Sequence, residues 1–184
     1  MKNILVIIGT RPEAIKFYPL IKTLKKINKF NVKICITSQH KDLLTQMLNI
    51  FKIKINYDLK MMKNNQSLID IFSKMPAKLK KVYKASKPDI VLVQGDTMSA
   101  MIAAQVADFM KIPVGHIEAG LRTHDKHSPW PEELCRQIIA KHSSINFCPT
   151  TINVRNLEKE KIKNNFFDWQ YINRFNPNYK KKYF

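Results

Sequence analysis

"DIVLVQGDTMSAMIAAQVADFM", residues 89 to 110, decides the fold. Its first part is an unbroken apolar run from Ile90 to Val93, as expected of a strand buried on both faces; its second part is an alanine-rich stretch of helical length. A strand handed directly to a helix predicts alternating β and α elements, and the alternation extends in both directions. Upstream, "NILVIIG" (3–9) reads as a buried strand and "PEAIKFYPLIKTLKKI" (12–27) as a helix. That helix places Ile15, Leu20, Ile21, Leu24 and Ile27 on or near one side, tolerates Pro12 in its first turn and is expected to bend at Pro19. "NVKICITS" (31–38) and "KDLLTQMLNIF" (41–51) repeat the strand and helix, and "KINYDL" (54–59) is a short strand before a polar turn. "SLIDIFSKMPAKLKKVYKAS" (67–86) is helical and interrupted by Pro76. Downstream come the strand "IPVGHIEAG" (112–120), the helix "PEELCRQIIAKH" (131–142) and a final short strand, "SINFCPT" (144–150). The order predicts an α/β domain: a Rossmann-like parallel sheet with helices on both faces.

Composition narrows what such a domain does. At 184 residues and 45% hydrophobic the chain can bury one good core. No apolar run reaches the roughly 18 to 20 residues of a membrane span. "MKNILVIIGT" continues into the polar "TRPE" where a signal peptide needs a cleavage site, so it reads as a strand and a cytoplasmic location is expected. Cys35, Cys135 and Cys148 lack metal-ligand spacing and read as buried, reduced thiols, with no metal site. The formal charge of +18 invites nucleic acid, but lysine supplies 27 of the 32 basic residues and is scattered over solvated helix faces without aromatic interleaving. No nucleic-acid or membrane partner is expected; an anionic small molecule fits the charge better.

In parallel sheets ligands collect where strands end and helices begin. The polar exceptions fall there: Arg11 and Lys16 after the first strand, Asp96 and Thr97 after the mid-chain one, then His116, Glu118 and Arg122. The helix after "GTRP" also points its amino end at that rim, a natural place for phosphate. With Gly9 the only glycine in that first turn, neither a Walker loop nor a dinucleotide fingerprint is present. No cofactor is expected. Each residue also has a plain structural reading. Asp96 serves equally as a helix N-cap, Lys16 as solvated surface, and His116 as a satisfied, partly buried histidine. Glu118 ends a buried strand and must find a partner, with Arg122 four residues on as the obvious one. In "SPWPEE" (128–133) prolines set a helix entry and glutamates favour its positive end, although one glutamate would suffice. His124, Asp125 and His127 fall in a loop where exposure is the default.

Five stretches together carry a family resemblance: "GTRPEAIK" (9–16), "QHKDLL" (39–44), "QGDT" (94–97), "GHIEAGLRT" (115–123) and "SPWPEE" followed by Arg136. In this order and spacing they resemble the non-hydrolysing UDP-N-acetylglucosamine 2-epimerases, from Met1 to about Phe167. The resemblance implies two Rossmann-like domains facing each other across a cleft, as in B-type glycosyltransferases. It also implies interconversion of UDP-N-acetylglucosamine and UDP-N-acetylmannosamine, for bacterial envelope polysaccharides. In that reaction a proton leaves carbon 2 while UDP is expelled from carbon 1; UDP then returns to a 2-acetamidoglucal after protonation of the other face. Such chemistry needs acids and bases on both sides of the ring. By the resemblance, Asp96, Glu118 and Glu132 are the catalytic acids and bases, and Arg11 and Lys16, with Asp96 and Glu118, bind substrate. Thr97, His116, Arg122, Glu133 and Arg136 support them, no metal or cofactor takes part, and the family's homodimer is expected in full-length members.

The resemblance stops at a second domain, which in the family binds uridine and most of the diphosphate and adds an essential histidine. Residues 168–184, "DWQYINRFNPNYKKKYF", have no clear period where a relative reads approximately "TGNTxIDS". The first nine of them can be written GAC TGG CAA TAT ATT AAT AGA TTC AAC, and one base further on the same string encodes "TGNILIDS". The expectation is therefore an epimerase domain over residues 1–167, an out-of-frame tail over 168–184 and an absent nucleotide-binding domain. Turnover by this chain alone is expected to be absent or weak. The alternatives are a hydrolysing relative that releases UDP and free N-acetylmannosamine, and a non-catalytic UDP-sugar-binding remnant.

Overall fold

Alternate residues of the first strand sort to opposite faces of a sheet. Leu5 and Ile7 join one core cluster, and Ile4, Val6 and Ile8 join another. Both faces of this strand are therefore covered, which is why it reads as an unbroken apolar run. A computed structural model of the chain describes residues 1–37, 41–61 and 67–167. The elements are β1 (Lys2–Ile8), α1 (Arg11–Lys26), β2 (Phe30–Ile36), α2 (Lys41–Ile50), β3 (Tyr57–Asp58), α3 (Leu68–Ser86) and β4 (Ile90–Gln94). They continue as α4 (Met98–Phe109), β5 (Val114–Ile117), α5 (Glu132–His142), β6 (Ile145–Cys148), α6 (Thr151–Lys159) and β7 (Asn165–Phe167). Gln39 and His40 of the "QHKDLL" stretch, the polar turn at 62–66 and the tail at 168–184 lie outside the described residues.

The strands form one seven-stranded sheet in the order β3-β2-β1-β4-β5-β6-β7, with every described pairing parallel. One face is packed by α1 and α2 through Ala14, Phe17, Ile21, Leu44 and Leu48. The other is packed by α3, α4 and α5 through residues including Leu79, Tyr83, Ile102 and Ile139. A Rossmann-like sheet with helices on both faces is thus the architecture. Among the described residues no helix is long and apolar enough to cross a membrane. Cys35, Cys135 and Cys148 are all buried.

Three local expectations need correction. The buried stripe of α1 is Ala14, Phe17, Ile21 and Leu24, while Ile15 is 43% exposed. The sheet, not the densest apolar run, chooses which side of the helix faces inward. Pro76 lies inside α3, which runs on through it as a single helix. A helical proline costs about 3 kcal/mol. In α3 that cost is outweighed by burying Ile71, Met75, Leu79 and Tyr83 in one stripe, at about 1.5–3 kcal/mol for each large apolar side chain. Finally, β6 is not the last strand, since α6 and β7 extend the sheet by one more unit. Their signals are faint: α6 buries only Asn153 and Leu157, and β7 has three residues. The legible sign was Thr150, whose hydroxyl caps α6 by accepting from Asn153 N–H.

Candidate active site

The strand order reverses at β1: β2 and β3 lie on one side, and β4 to β7 on the other. At such a reversal the loops leaving the two central strands diverge to opposite faces and open a crevice at their carboxyl ends. Here those loops are Gly9–Thr10, leading into α1, and Gly95–Thr97, leading into α4. Gly95 has φ +70°, a backbone that side chains rarely tolerate, and so turns the chain sharply beside Asp96. Thr97, not Asp96, is the N-cap of α4: its hydroxyl accepts from Ala100 N–H at 3.1 Å. The capping reading of Asp96 therefore falls, and its carboxylate is left for other work.

Asp96 is met by Arg136 of α5, Nη2 to Oδ2 at 3.3 Å. Burial raises its pKa above the usual carboxylate range; Arg136 and Lys16 oppose the rise, and the charges of Glu118 and Glu132 add to it. Glu118 and Glu132 therefore both lie within electrostatic reach of Asp96, although the three come from separate segments of the chain. Glu118 sits just past β5 at φ +66°, a left-handed backbone that costs a residue with a side chain roughly 1 kcal/mol. Its carboxylate is gripped from two sides. Lys16 Nζ donates to Oε1 at 2.7 Å and Oε2 at 2.6 Å, and Gln94 Nε2 donates to Oε2. The plain structural alternative, a pair with Arg122, does not form. Arg122 instead makes a two-pronged pair with Glu160, Nε to Oε1 at 2.6 Å and Nη2 to Oε2 at 2.8 Å, fastening the segment after β5 to the end of α6.

Glu132 opens α5 and has no side-chain hydrogen bond or ion pair among the described residues. Glu133 is fully buried. Burial pushes its pKa up, but hydrogen bonds from Gln137 and the Thr123 N–H, together with the charge of Arg136, outweigh burial and hold it below the ordinary value. Arg136 bridges it to Asp96, with Nε 3.3 Å from Glu133 Oε2. His116 is also fully buried, and its Nε2 lies 2.7 Å from Gly95 O. A carbonyl can only accept, so Nε2 carries the proton and pins the turn that presents Asp96. Burial lowers the His116 pKa to about 4, which leaves the ring neutral near pH 7. Arg11 is the first residue of α1, exposed, with no ion pair among the described residues. His124, Asp125 and His127 are exposed, as their loop position suggested, and the His127 ring lies 5.8 Å from that of Trp130.

The edge has two unlike halves: cations from α1, and carboxylates from the β4–α4 turn, the residue after β5 and the start of α5. Such an edge can hold an anion beside groups that give and take protons. Sequence reasoning missed Gln94, whose signal was an amide closing an apolar strand, and Glu13, whose carboxyl is buried beneath the edge. Among the described residues there is no grouping of three or more His, Cys, Asp or Glu side chains that could hold a metal ion.

Comparison with known proteins supplies the family. A Campylobacter jejuni protein named UDP-N-acetylglucosamine 2-epimerase is 49% identical over 160 residues, 87% of this chain and 42% of that protein. The chain thus spans less than half the length of that relative. The crystal structure of UDP-GlcNAc 2-epimerase from Neisseria meningitidis bound to UDP-GlcNAc superposes with TM-score 0.86 at 47% identity, over 90% of this chain and 45% of that one. Acinetobacter baumannii MurG, at 14% identity and TM-score 0.60 over 83% of this chain and 43% of its own, shares the fold alone. The family profile described as UDP-N-acetylglucosamine 2-epimerase matches residues 22–167, and the chain belongs to that family.

Proposed function

We propose that residues 1–167 form the sugar-facing half of a nucleotide-sugar 2-epimerase site. Completed by a second domain, it interconverts UDP-N-acetylglucosamine and UDP-N-acetylmannosamine. The observation that carries the reading is the convergence of Asp96, Glu118 and Glu132, from three chain segments, beside the α1 cation Lys16. In this reading Arg11 and Lys16, with the amino end of α1, receive the diphosphate. Asp96, Glu118 and Glu132 remove and return the carbon 2 proton as UDP leaves and re-adds. A carboxyl group shifted upward toward working pH, as Asp96 is, suits such a transfer. The Lys16–Glu118 pair is partly exposed, so exchanging it for a phosphate contact costs little, within about 1 kcal/mol. Arg136, Glu133, Thr97 and His116 hold the turns in place. Arg122, committed to Glu160, supports the site only by fixing the β5 exit.

The chain spans 42% of the Campylobacter relative, so turnover is proposed for the completed site and binding for this unit. A cytoplasmic location, where nucleotide sugars are made, and a homodimer of the completed protein belong to the same proposal. The test is titration of the isotope-labelled chain with UDP-N-acetylglucosamine, followed by nuclear magnetic resonance. Shifts at Arg11, Lys16, Asp96 and Glu118 are expected; a ligand that moves none of them refutes the reading. Joining the chain to the second domain of the Neisseria relative should produce UDP-N-acetylmannosamine, and release of free N-acetylmannosamine would instead favour a hydrolysing enzyme.

A further inference from the structure

Beneath the cationic half of the edge lies an ionisable group that the proposed chemistry does not use. Glu13, in the first turn of α1, is 2% exposed. Its Oε2 accepts from the Gly9 N–H at 2.6 Å, while among the described residues Oε1 has no hydrogen-bond partner and is sealed from solvent. The surrounding space is closed. A Cβ added at Gly9 would lie 2.9 Å from Ser99 Cβ and 3.3 Å from Thr37 Oγ1, so the β1 turn is pressed against the first turn of α4 and the end of β2. The hydroxyls of Thr97 and Thr10 lie near the carboxyl group and favour its ionised form. Thr97 is the α4 cap next to Asp96, and Thr10 is the residue before Arg11.

We propose that Glu13 is a positioning residue that couples the two halves of the edge: through Gly9 and Thr97 it sets the β1–α1 turn bearing Arg11 against the β4–α4 turn bearing Asp96. The proposal deepens the epimerase reading and rests on it for its functional meaning. A carboxyl group placed here cannot be idle with respect to pH. Burial raises its pKa to about 7, against the opposing Gly9 N–H and threonine contacts. It therefore changes charge near neutrality directly under a surface suited to anions. When ionised, it grips the Gly9 N–H more strongly and offsets the positive end of α1; when neutral, it relaxes both. The groups that act on its carboxyl are the Gly9 and Thr10 backbone and the Thr97 and Thr10 hydroxyls, none of which titrates near neutrality. No ion pair among the described residues includes Glu13.

The test needs neither substrate nor turnover, so its failure is separable from failure of the epimerase reading. In the labelled full chain, the Gly9 amide and the Arg11 Nε signals should move together with a midpoint near 7, as Glu13 ionises. Glu13→Gln keeps an acceptor for Gly9, so its amide should stay protected while the shared titration disappears. Glu13→Ala should speed Gly9 exchange about tenfold and displace the Arg11 and Thr97 signals. If Glu13→Ala does not fold, Glu13→Gln against the parent decides. The proposal is overturned if Gly9 and Arg11 show no pH response between about pH 5 and 9. It is equally overturned if the same response persists in Glu13→Gln, which would assign it to Asp96.

Discussion

The edge of the sheet and the layer just beneath it handle charge in opposite ways. At the edge, Lys16, Glu118 and Asp96 are partly exposed and paired in contacts that water or a ligand can replace. Beneath it, Glu13 and His116 are sealed, and burial has moved each toward its neutral form, one pKa up to about 7 and the other down to about 4. Arg136 joins the layers, one end on half-buried Asp96 and the other on fully buried Glu133. The comparison teaches that the same residue types act as exchangeable contacts in one layer and as fixed supports a few ångströms below, because only the second is cut off from solvent.

Removing Arg136 should do most damage, since Arg136→Ala leaves a buried carboxylate without its cation. Chemical denaturation should report a loss of about 3 kcal/mol or more, and a loss under about 1 kcal/mol would break the distinction between layers. Next come the two sealed titrations, whose signs oppose. Glu13, a carboxyl raised from 4.5 to about 7, holds its proton in the folded state after the unfolded chain has lost its own. Its contribution to stability is therefore present below 4.5 and lost as pH rises to 7. His116, lowered from 6.5 to about 4, stays neutral while the unfolded chain takes up a proton, so stability is lost as pH falls from 6.5 toward 4. Each spans at most about 3 kcal/mol, and across their shared window the two slopes should nearly cancel in the parent chain. Denaturation across that pH range should find Glu13→Gln gaining stability relative to the parent as pH rises, and His116→Gln losing it.

At the edge the effects should be smaller and confined to ligand. Lys16→Ala is expected to change stability by less than about 1 kcal/mol and to weaken UDP-N-acetylglucosamine binding about tenfold, the loss of one charge-assisted contact. A large loss of stability would mean that the pair with Glu118 is a support after all. Smallest is Ile15→Lys on the exposed face of α1, within about 0.5 kcal/mol by denaturation. A larger loss would restore Ile15 to the core, where its spacing had suggested it belonged.

The places of Asp96 and Glu118 were legible because they follow strands, and strand ends are readable from where apolar runs stop. Glu118 and Glu132, the latter at the start of α5, both reach Asp96 electrostatically. Their partners were not legible. Arg122, four residues from Glu118, pairs with Glu160, while Lys16 reaches Glu118 across 102 positions of sequence. Glu13 looked like an ordinary acidic residue in a first helical turn, and nothing local said that its carboxyl would be buried against the Gly9 N–H and the Thr97 hydroxyl. Pro76 misled in the other direction, because a local rule about helix breaking says nothing of the core that holds α3 together across it.

By itself the sequence determined the alternation of strands and helices, the parallel sheet covered on both faces and the family, since run length, period and motif spacing are properties of neighbouring residues. Only the tertiary structure decided which cation meets which carboxylate, which side of α1 faces inward, and that Glu13 and His116 are sealed beneath the edge. Those outcomes depend on strand order and on burial from all sides, and both are created only when distant segments pack together.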